Sequence, residues 1–394
     1  MSSALNGIRV LDFGRYIAGP WCAALLGDFG ADVIRVDKIG GSEDREPMPV
    51  GDGADGAIFL QVNRNKRGMT LDTRHSDGEA VLNRLVETAD VVVANLPETA
   101  LEALGLDYDS LTAIKPDIIL TSVTAFGTLG PNSHKVGFDV MGQAMSGAMA
   151  MTGPEQDPMR SYVSWVDFST ATLAAFGTLS AIIERDRTGK GQRVEGSLLA
   201  TALATTGPHL IEQAMTQVGR TRSANRSQVC GPSDMFRTAD GEIVVQVIGQ
   251  PMFVRWTRLI GDQGLLDDPR FADDETRAVH GVALSDLMQA WCDGRTTEQA
   301  LALLEQARIP AAPVLGLQQA LDDPHVAAAG MFQPPEAPGL ATPVPVSATP
   351  VRLSATPGTV RTVAPGIGEH TDEILAALGY DAAEIASLRA CGAV

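Results

Sequence analysis

Asp167 lies in Ser164-Trp165-Val166-Asp167-Phe168-Ser169-Thr170, immediately ahead of a long apolar stretch. A carboxylate placed there, behind an indole and a branched aliphatic, can occupy a sheltered pocket facing free backbone N–H groups. It could serve as a nucleophile toward an activated acyl group. Asp is also a favoured helix N-cap, and one Asp before an apolar run is commonly only that. Thr170 stands where a capping box would put Glu or Gln, which does little to separate the two readings.

Other chemistry-bearing groups are fewer. Asn63-Arg64-Asn65-Lys66-Arg67 is a basic cluster, and Lys38 and Arg45 flank a Gly40-Gly41 turn. In a chain of net charge −18 these cations are candidate contacts for a polyphosphate ligand, with a solvated charged loop as the plain alternative. His75, His134, His209, His280, His325 and His370 have no Ser or Cys partner in a nucleophile motif, and G-x-S-x-G is missing, which disfavours a triad hydrolase. Cys22, Cys230, Cys292 and Cys391 are scattered, so neither a zinc site nor a disulfide framework is expected.

The elements that must position these groups alternate between strand and helix. Ile8–Phe13 reads as a strand, Gly14–Pro20 as a loop, Trp21–Phe29 as a helix ended by Gly30, and Val33–Val36 as a second strand. Ala89–Val93 and Asp117–Leu120 are further strands, with a helical segment near Leu101–Leu104 between them. This alternation predicts a parallel sheet with helices on its faces. The Gly14–Pro20 loop lacks G-x-G-x-x-G, so no dinucleotide site is expected. Behind Asp167, Phe168–Ile183 carries Leu173, Phe176, Leu179, Ile182 and Ile183 at helical spacing, and the run ends in the polar loop Arg187–Gln192.

Residues 215–230 are polar and basic and read as a crossing segment. From Gly241 the texture changes to the strand Glu242–Val247 and helices near Phe253–Ile260, Leu284–Trp291 and Thr297–Ala307, the last with a capping box from Thr296 to Gln299. This block predicts a smaller α+β domain. Pro334, Pro335, Pro338, Pro343, Pro345, Pro350 and Pro357 mark an extended stretch in which Val344, Val346, Val351 and Leu353 alternate with polar residues. Glu369–Leu388 is helical again and must dock on the first domain.

The chain of 394 residues is long enough for two domains, and 44% hydrophobic with 20% charged residues is an ordinary globular balance. The acidic balance argues against a nucleic-acid partner. Met1-Ser2-Ser3-Ala4-Leu5-Asn6-Gly7 does not read as a secretory signal, and no uninterrupted apolar run reaches membrane-spanning length. A soluble, cytoplasmic protein is expected.

Taken in order, these motifs resemble a known family. Gly7-Ile8-Arg9-Val10-Leu11-Asp12-Phe13, Ala18-Gly19-Pro20 and Gly30-Ala31-Asp32-Val33-Ile34 are similar to the opening of the family III CoA-transferases. That family contains formyl-CoA:oxalate and carnitine CoA-transferases together with α-methylacyl-CoA racemases. The similarity continues through Asn65-Lys66-Arg67, Ala89-Asp90-Val91-Val92-Val93 with Asn95, Gly105-Leu106, and Gly137-Phe138-Asp139 with Gln143 and Ser146-Gly147. It extends to Thr188-Gly189-Lys190-Gly191-Gln192 and Gly368-Glu369-His370-Thr371, and so spans essentially the full chain.

The resemblance implies a Rossmann-like large domain (1–214), a crossing linker (215–230), a small α+β domain (231–330) and a return segment (331–394) completing the large domain. An intertwined homodimer is implied with it. Asp167 would be the nucleophile, passing through an acyl-aspartyl anhydride and an aspartyl-CoA thioester in a site that excludes water. Ile17, Ala18, Lys38, Leu71, Asp72, Thr73, Arg74, Asn95, Leu96, Lys135, Gly137, Phe138 and Asp139 would line the site of coenzyme A, with Lys38 and Arg74 on its phosphates. Gly249 and Gln250 would meet the substrate, and no metal is implied.

The departures also carry information. Ile17 replaces a glutamine and Phe138 a tyrosine of the oxalate-specific members, and Gly249-Gln250-Pro251 is shorter than their glycine run. Losing two hydrogen-bonding groups points away from oxalate and toward a larger or more apolar acid. A racemase needs a histidine base after the matched Gly137, where Phe138 stands; His134 is displaced by four residues. A catalytically silent CoA-binding protein is the other alternative.

Overall fold

Val10-Leu11, Val33-Ile34 and Val91-Val92-Val93 are buried along their whole length, so their strands must be covered on both faces. The computed structural model describes residues 3–51, 55–335 and 342–394; Met1, Ser2 and Pro338 fall outside the described residues. The order opens β1 (Arg9–Asp12), α1 (Ala18–Asp28), β2 (Asp32–Asp37), α2 (Ala57–Val62), β3 (Lys66–Thr70), α3 (Ser76–Thr88) and β4 (Val91–Ala94). It continues α4 (Glu98–Leu104), α5 (Tyr108–Ile114), β5 (Ile119–Thr124), α6 (Asp139–Met145), α7 (Ala148–Met151), α8 (Trp165–Thr188), β6 (Arg193–Ser197) and α9 (Leu198–Thr216). The six strands run parallel in the order β3-β2-β1-β4-β5-β6. Strand order therefore reverses between β1 and β4, the place where open α/β sheets leave a crevice at their carboxyl ends.

Alternate residues of the strands feed two cores. Val10, Val33, Val91 and Val93 pack with α1 and α8, whereas Leu11, Ile34, Val36 and Val92 pack with α3 and the chain's C-terminal end. The chain divides into two compact units, residues 1–146, 162–206 and 324–394, and residues 147–161 and 207–323. Residues 147–161 and 215–230 both belong to the second unit.

That second unit holds an antiparallel sheet of β7 (Ser233–Arg237), β8 (Glu242–Gln246) and β9 (Ala311–Pro313). Around it lie α10 (Gln250–Ile260), α11 (Asp274–Val279), α12 (Gly281–Cys292), α13 (Thr297–Gln306) and α14 (Leu317–Leu321). Phe236, Phe253, Trp256 and Met288 centre its core. The expected capping box opens α13: Gln299 N–H donates to Thr296 Oγ1 at 3.2 Å, and Thr296 N–H to Gln299 Oε1 at 3.0 Å.

Beyond α15 (Pro324–Ala328) the first unit is completed by α16 (Thr371–Ala377) and α17 (Ala382–Ala390). Val346 is buried, but Val351 and Leu353 are exposed, so the alternation there does not mark one covered face. His370 N–H donates to Gly68 O at 2.8 Å, Thr70 N–H to Thr371 Oγ1 at 3.2 Å, and Asp72 N–H to Ala393 O at 2.9 Å. These bonds cover the β3 edge that would otherwise be open.

Two expectations are corrected. First, the basic cluster is neither a solvated loop nor a free phosphate site. Lys66 begins β3 and donates to Asp12 Oδ2 at 2.6 Å, Pro20 O at 2.8 Å and Asn63 Oδ1 at 2.8 Å. Arg64 pairs with Asp28 at 2.7 Å and Arg67 with Asp32 at 2.8 Å. Arg45 is likewise taken by Asp37 at 2.8 Å.

Second, the face of α8 turned inward is mostly small: Val166, Thr170, Ala171, Ala174, Ala175, Thr178 and Ala181 are buried, joined by Ile182 and Arg185 toward the end of the helix. Leu173, Phe176 and Ile183 face outward, 53%, 68% and 71% exposed, whereas Ile182 is buried and Leu179 packs against the core, so only part of the large apolar set faces inward. Small side chains let the helix lie close to α1 and the sheet. With 24 residues and mean hydropathy 1.4, α8 also meets the length and composition of a membrane span, although 44% of that window is buried within the protein.

Removing Lys66 would strand Asp12 in a dry interior. Lys66→Met is expected to cost about 3–5 kcal/mol in urea unfolding, with Asp12→Asn in the same chain restoring part of it. A loss below about 1 kcal/mol, the range of exposed pairs, would contradict this account of the pair.

Candidate active site

The two residues following Ser164 open α8, and Asp167 occupies the third helical position rather than the N-cap. The N-cap reading therefore fails; the free N–H groups of the first turn are met from elsewhere. Val166 N–H and Asp167 N–H both donate to Asp139 Oδ2, at 2.8 and 3.0 Å. Asp139 is the first residue of α6 and is buried, and its Oδ1 accepts from Gln143 Nε2 one turn on. Gly142 makes this approach possible, because a Cβ there would stand 2.9 Å from Val166 Cγ1 and 3.2 Å from Leu198 O.

The Asp167 carboxylate is half-buried and accepts no hydrogen bond among the described residues. Burial, reinforced by the Asp139 charge, pushes its pKa up to about 7. A carboxylate with little solvation and no donor is a stronger nucleophile than one at the surface, and near neutrality a substantial fraction is ionised.

The loop after β1 is held on several sides. Gly14 N–H donates to Asp12 Oδ1 at 2.8 Å, and a Cβ on Gly14 would stand 2.6 Å from Pro20 Cδ. Arg15 N–H donates to Asn95 Oδ1 and Asn95 Nδ2 to Arg15 O, both at 2.7 Å. Tyr16 N–H donates to Asp44 Oδ2 at 3.1 Å, and Tyr16 adopts φ +60°, a conformation that non-glycine residues rarely hold without support. Its ring meets Phe138 edge-on at 5.7 Å, and Trp21 meets Phe168, the neighbour of Asp167, at 5.2 Å.

Every expected CoA-site residue falls beyond the carboxyl end of a strand. Ile17 and Ala18 follow β1, Lys38 follows β2, Leu71, Asp72, Thr73 and Arg74 follow β3, Asn95 and Leu96 follow β4, and Lys135, Gly137, Phe138 and Asp139 follow β5. Their accessibility differs. Ile17, Ala18 and Leu71 are buried in the cores, and Leu96 packs against the second of these. Asn95 spends its amide on the Arg15 backbone, and Asp139 spends its carboxylate on α8. Lys38 is exposed and bonds Glu43 at 2.9 Å; Arg74 is exposed beside Asp72 at 3.3 Å; Lys135 is exposed.

In the second unit Gly249, at φ +76°, donates its N–H to Asp274 Oδ2 at 2.8 Å, and Gln250 Oε1 accepts from Arg277. Half-buried His75 with exposed Asp77 and Cys391 also brings potential ligand atoms within 4.8 Å of one another. Sequence spacing gives no sign of it, because Asp77 and Cys391 are 314 residues apart. Tyr16 and the α8-binding role of Asp139 were likewise beyond sequence reasoning.

Comparison with known proteins agrees with the geometry. Residues 5–371 match CoA-transferase family III. The chain is 35% identical over 390 residues to a succinyl-CoA–D-citramalate CoA-transferase of Chloroflexus aurantiacus, covering 98% of this chain and 97% of that one. It is 32% identical over 388 residues to a succinate–glutarate CoA-transferase of Agrobacterium fabrum, covering 95% of each. A crystal structure of a CAIB/BAIF family protein from Brucella suis matches with TM-score 0.84 at 31% identity, covering 96% of this chain and 100% of that one. The chain belongs to the family III CoA-transferases. It is thus a transferase of acyl-CoA metabolism, with CoA thioesters among its substrates.

A carboxyl group whose pKa rises on folding stabilises the fold below its unfolded value, and that contribution is lost as pH rises through its folded value. The window here runs from about 4 to about 7. Asp167→Asn is therefore expected to raise thermal stability at pH 8, by about 1–3 kcal/mol after allowing for partial solvation, and to lose the advantage at pH 4. An equal effect at both pH values, measured by calorimetry, would contradict the raised pKa.

Proposed function

We propose that the enzyme moves CoA from succinyl-CoA or a similar dicarboxylic acyl-CoA to a carboxylic acid acceptor, with Asp167 as nucleophile. The observation that carries this reading is the half-buried Asp167 carboxylate, which accepts no hydrogen bond among the described residues, at the start of the helix that leads into β6. One carboxylate oxygen attacks the thioester carbonyl carbon, the C–S bond breaks, and CoA leaves as thiolate from a mixed anhydride. The thiolate attacks the Asp167 carbonyl carbon, releasing the donor acid as carboxylate and leaving an aspartyl-CoA thioester. The acceptor carboxylate attacks that thioester, and the returning thiolate then takes the acceptor's acyl carbon and restores Asp167. No net proton is consumed, so the site needs shelter from water more than a general acid.

Relatives named for citramalate and glutarate support a dicarboxylic substrate class. Ile17 and Phe138, which offer no side-chain hydrogen bond to a small acid, support an acceptor larger than oxalate. CoA would lie along the strand ends with Lys38 and Arg74 on its phosphates. A homodimer is supported by the outward Leu173, Phe176 and Ile183 of α8, an apolar face of the kind that subunits cover. The free state of Cys22, Cys230, Cys292 and Cys391 supports a reducing, cytoplasmic location.

Asp167→Ala is expected to lower kcat/KM for CoA transfer from succinyl-CoA by at least about 10³-fold, the scale of losing a covalent nucleophile. Transfer within tenfold of the parent enzyme, with the fold intact by circular dichroism, would remove Asp167 from the mechanism. In sedimentation analysis the parent chain is expected to run as a dimer, with Phe176→Glu moving it toward monomer; a monomeric parent would contradict the assembly.

A further inference from the structure

We propose that Asp139 is a positioning residue rather than a CoA contact: by occupying the N-terminus of α8 it keeps the Asp167 carboxylate free of hydrogen bonds and beside a fixed negative charge. The inference rests on Asp167 being the nucleophile. A carboxylate in the first turn of a long helix is ordinarily stabilised by the unpaired N–H groups there and by the positive end of the helix dipole. In this chain the N–H groups of Val166 and Asp167 are instead taken by a single oxygen of Asp139, at 2.8 and 3.0 Å. Asp139 is anchored in turn by Gln143, and Gly142 gives α6 the room to bring it there. Asp139 is thus the better-placed anion, and Asp167 is left as the less-solvated one. The arrangement withholds stabilisation from the ground-state carboxylate. Acylation removes the Asp167 charge and with it the repulsion from Asp139, which favours anhydride formation.

The other charged groups on elements packed against α8 are engaged elsewhere. Asp28 of α1 is bonded by Arg64, and Arg193 of β6 by Glu98 and Glu195. Cys22 of α1 is a buried thiol pushed up to about 12, hence neutral. Among the described residues Asp139 is the charge that acts on Asp167, and burial and Asp139 together hold Asp167 near 7.

The test compares the parent enzyme with Asp139→Asn and Asp167→Ala, using succinyl-CoA and a dicarboxylic acceptor over pH 4.5–9. Asn keeps an oxygen acceptor for the two N–H groups and removes only the charge. Its kcat/KM profile is expected to keep its shape while the acidic limb moves down by about one pH unit, as loss of a close like charge requires. A limb that stays in place in an active Asp139→Asn enzyme overturns the proposal, whatever happens to its melting temperature. If the Asn variant does not fold, Asp139→Ser removes the same charge with a smaller acceptor and is read the same way. A parent profile whose acidic limb lies near 4 overturns the proposal with no variant at all. Unimpaired transfer by Asp167→Ala would instead defeat the underlying assignment of the nucleophile, a result distinct from an unmoved limb.

Discussion

Asp12 ends β1 inside the protein, with its side chain fully buried, and a charge in that position must be matched. Lys66 matches it from β3, reaching across β2, and the second Asp12 oxygen accepts from Gly14 N–H. The loop at the sheet's switch point is thereby pinned at its base. Asn95 at the end of β4 grips the next residue, and Asp44 takes the N–H of the one after. Arg35 joins the same network through Gly14 O at 3.2 Å and Asp44 at 2.9 Å. The strand ends of β1 to β4 become a fixed surface because these buried polar bonds hold them together, with Arg35 Nε the one atom of that guanidinium left without a hydrogen-bond partner among the described residues.

On that surface the carboxylate proposed as the nucleophile is held by what it lacks. Among the described residues Asp167 has a partner for its backbone N–H but none for its carboxylate oxygens, and the one charge that acts on it, Asp139, repels it. Sites of covalent catalysis commonly hold their nucleophile in an unfavourable ground state and relieve it during reaction. The same feature makes Asp167 a burden to the fold above neutral pH, the trade between stability and activity that such sites carry.

Much of the α/β plan was legible in the sequence. Val10-Leu11, Val33-Ile34 and Val91-Val92-Val93 announce buried parallel strands, Gly30 ends the first helix region at φ +101°, and Thr296 with Gln299 marks a helix start. Strand β3 was not legible, because Lys-Arg-Gly-Met-Thr looks like a charged loop until Asp12 and Asp32 arrive from other strands. The orientation of α8 was misread for a related reason. Periodicity finds the large apolar residues, of which Ile182 and Leu179 do reach the core, but close packing on α1 selected mainly alanines and threonines, leaving Leu173, Phe176 and Ile183 outside. Asp167 could be singled out from its local context. Its partner Asp139 could not, since nothing in the sequence shows that a residue 27 positions upstream of Val166 will bind the helix start.

The central claim is that Asp167 becomes covalently acylated. Peptide mass spectrometry after brief incubation with succinyl-CoA and a hydroxylamine quench tests it most directly. A hydroxamate on Asp167, and its loss when the free acceptor acid is added to drain the intermediate, is the predicted result. An unmodified Asp167 during demonstrated CoA transfer, or a hydroxamate on another carboxylate, would contradict the account.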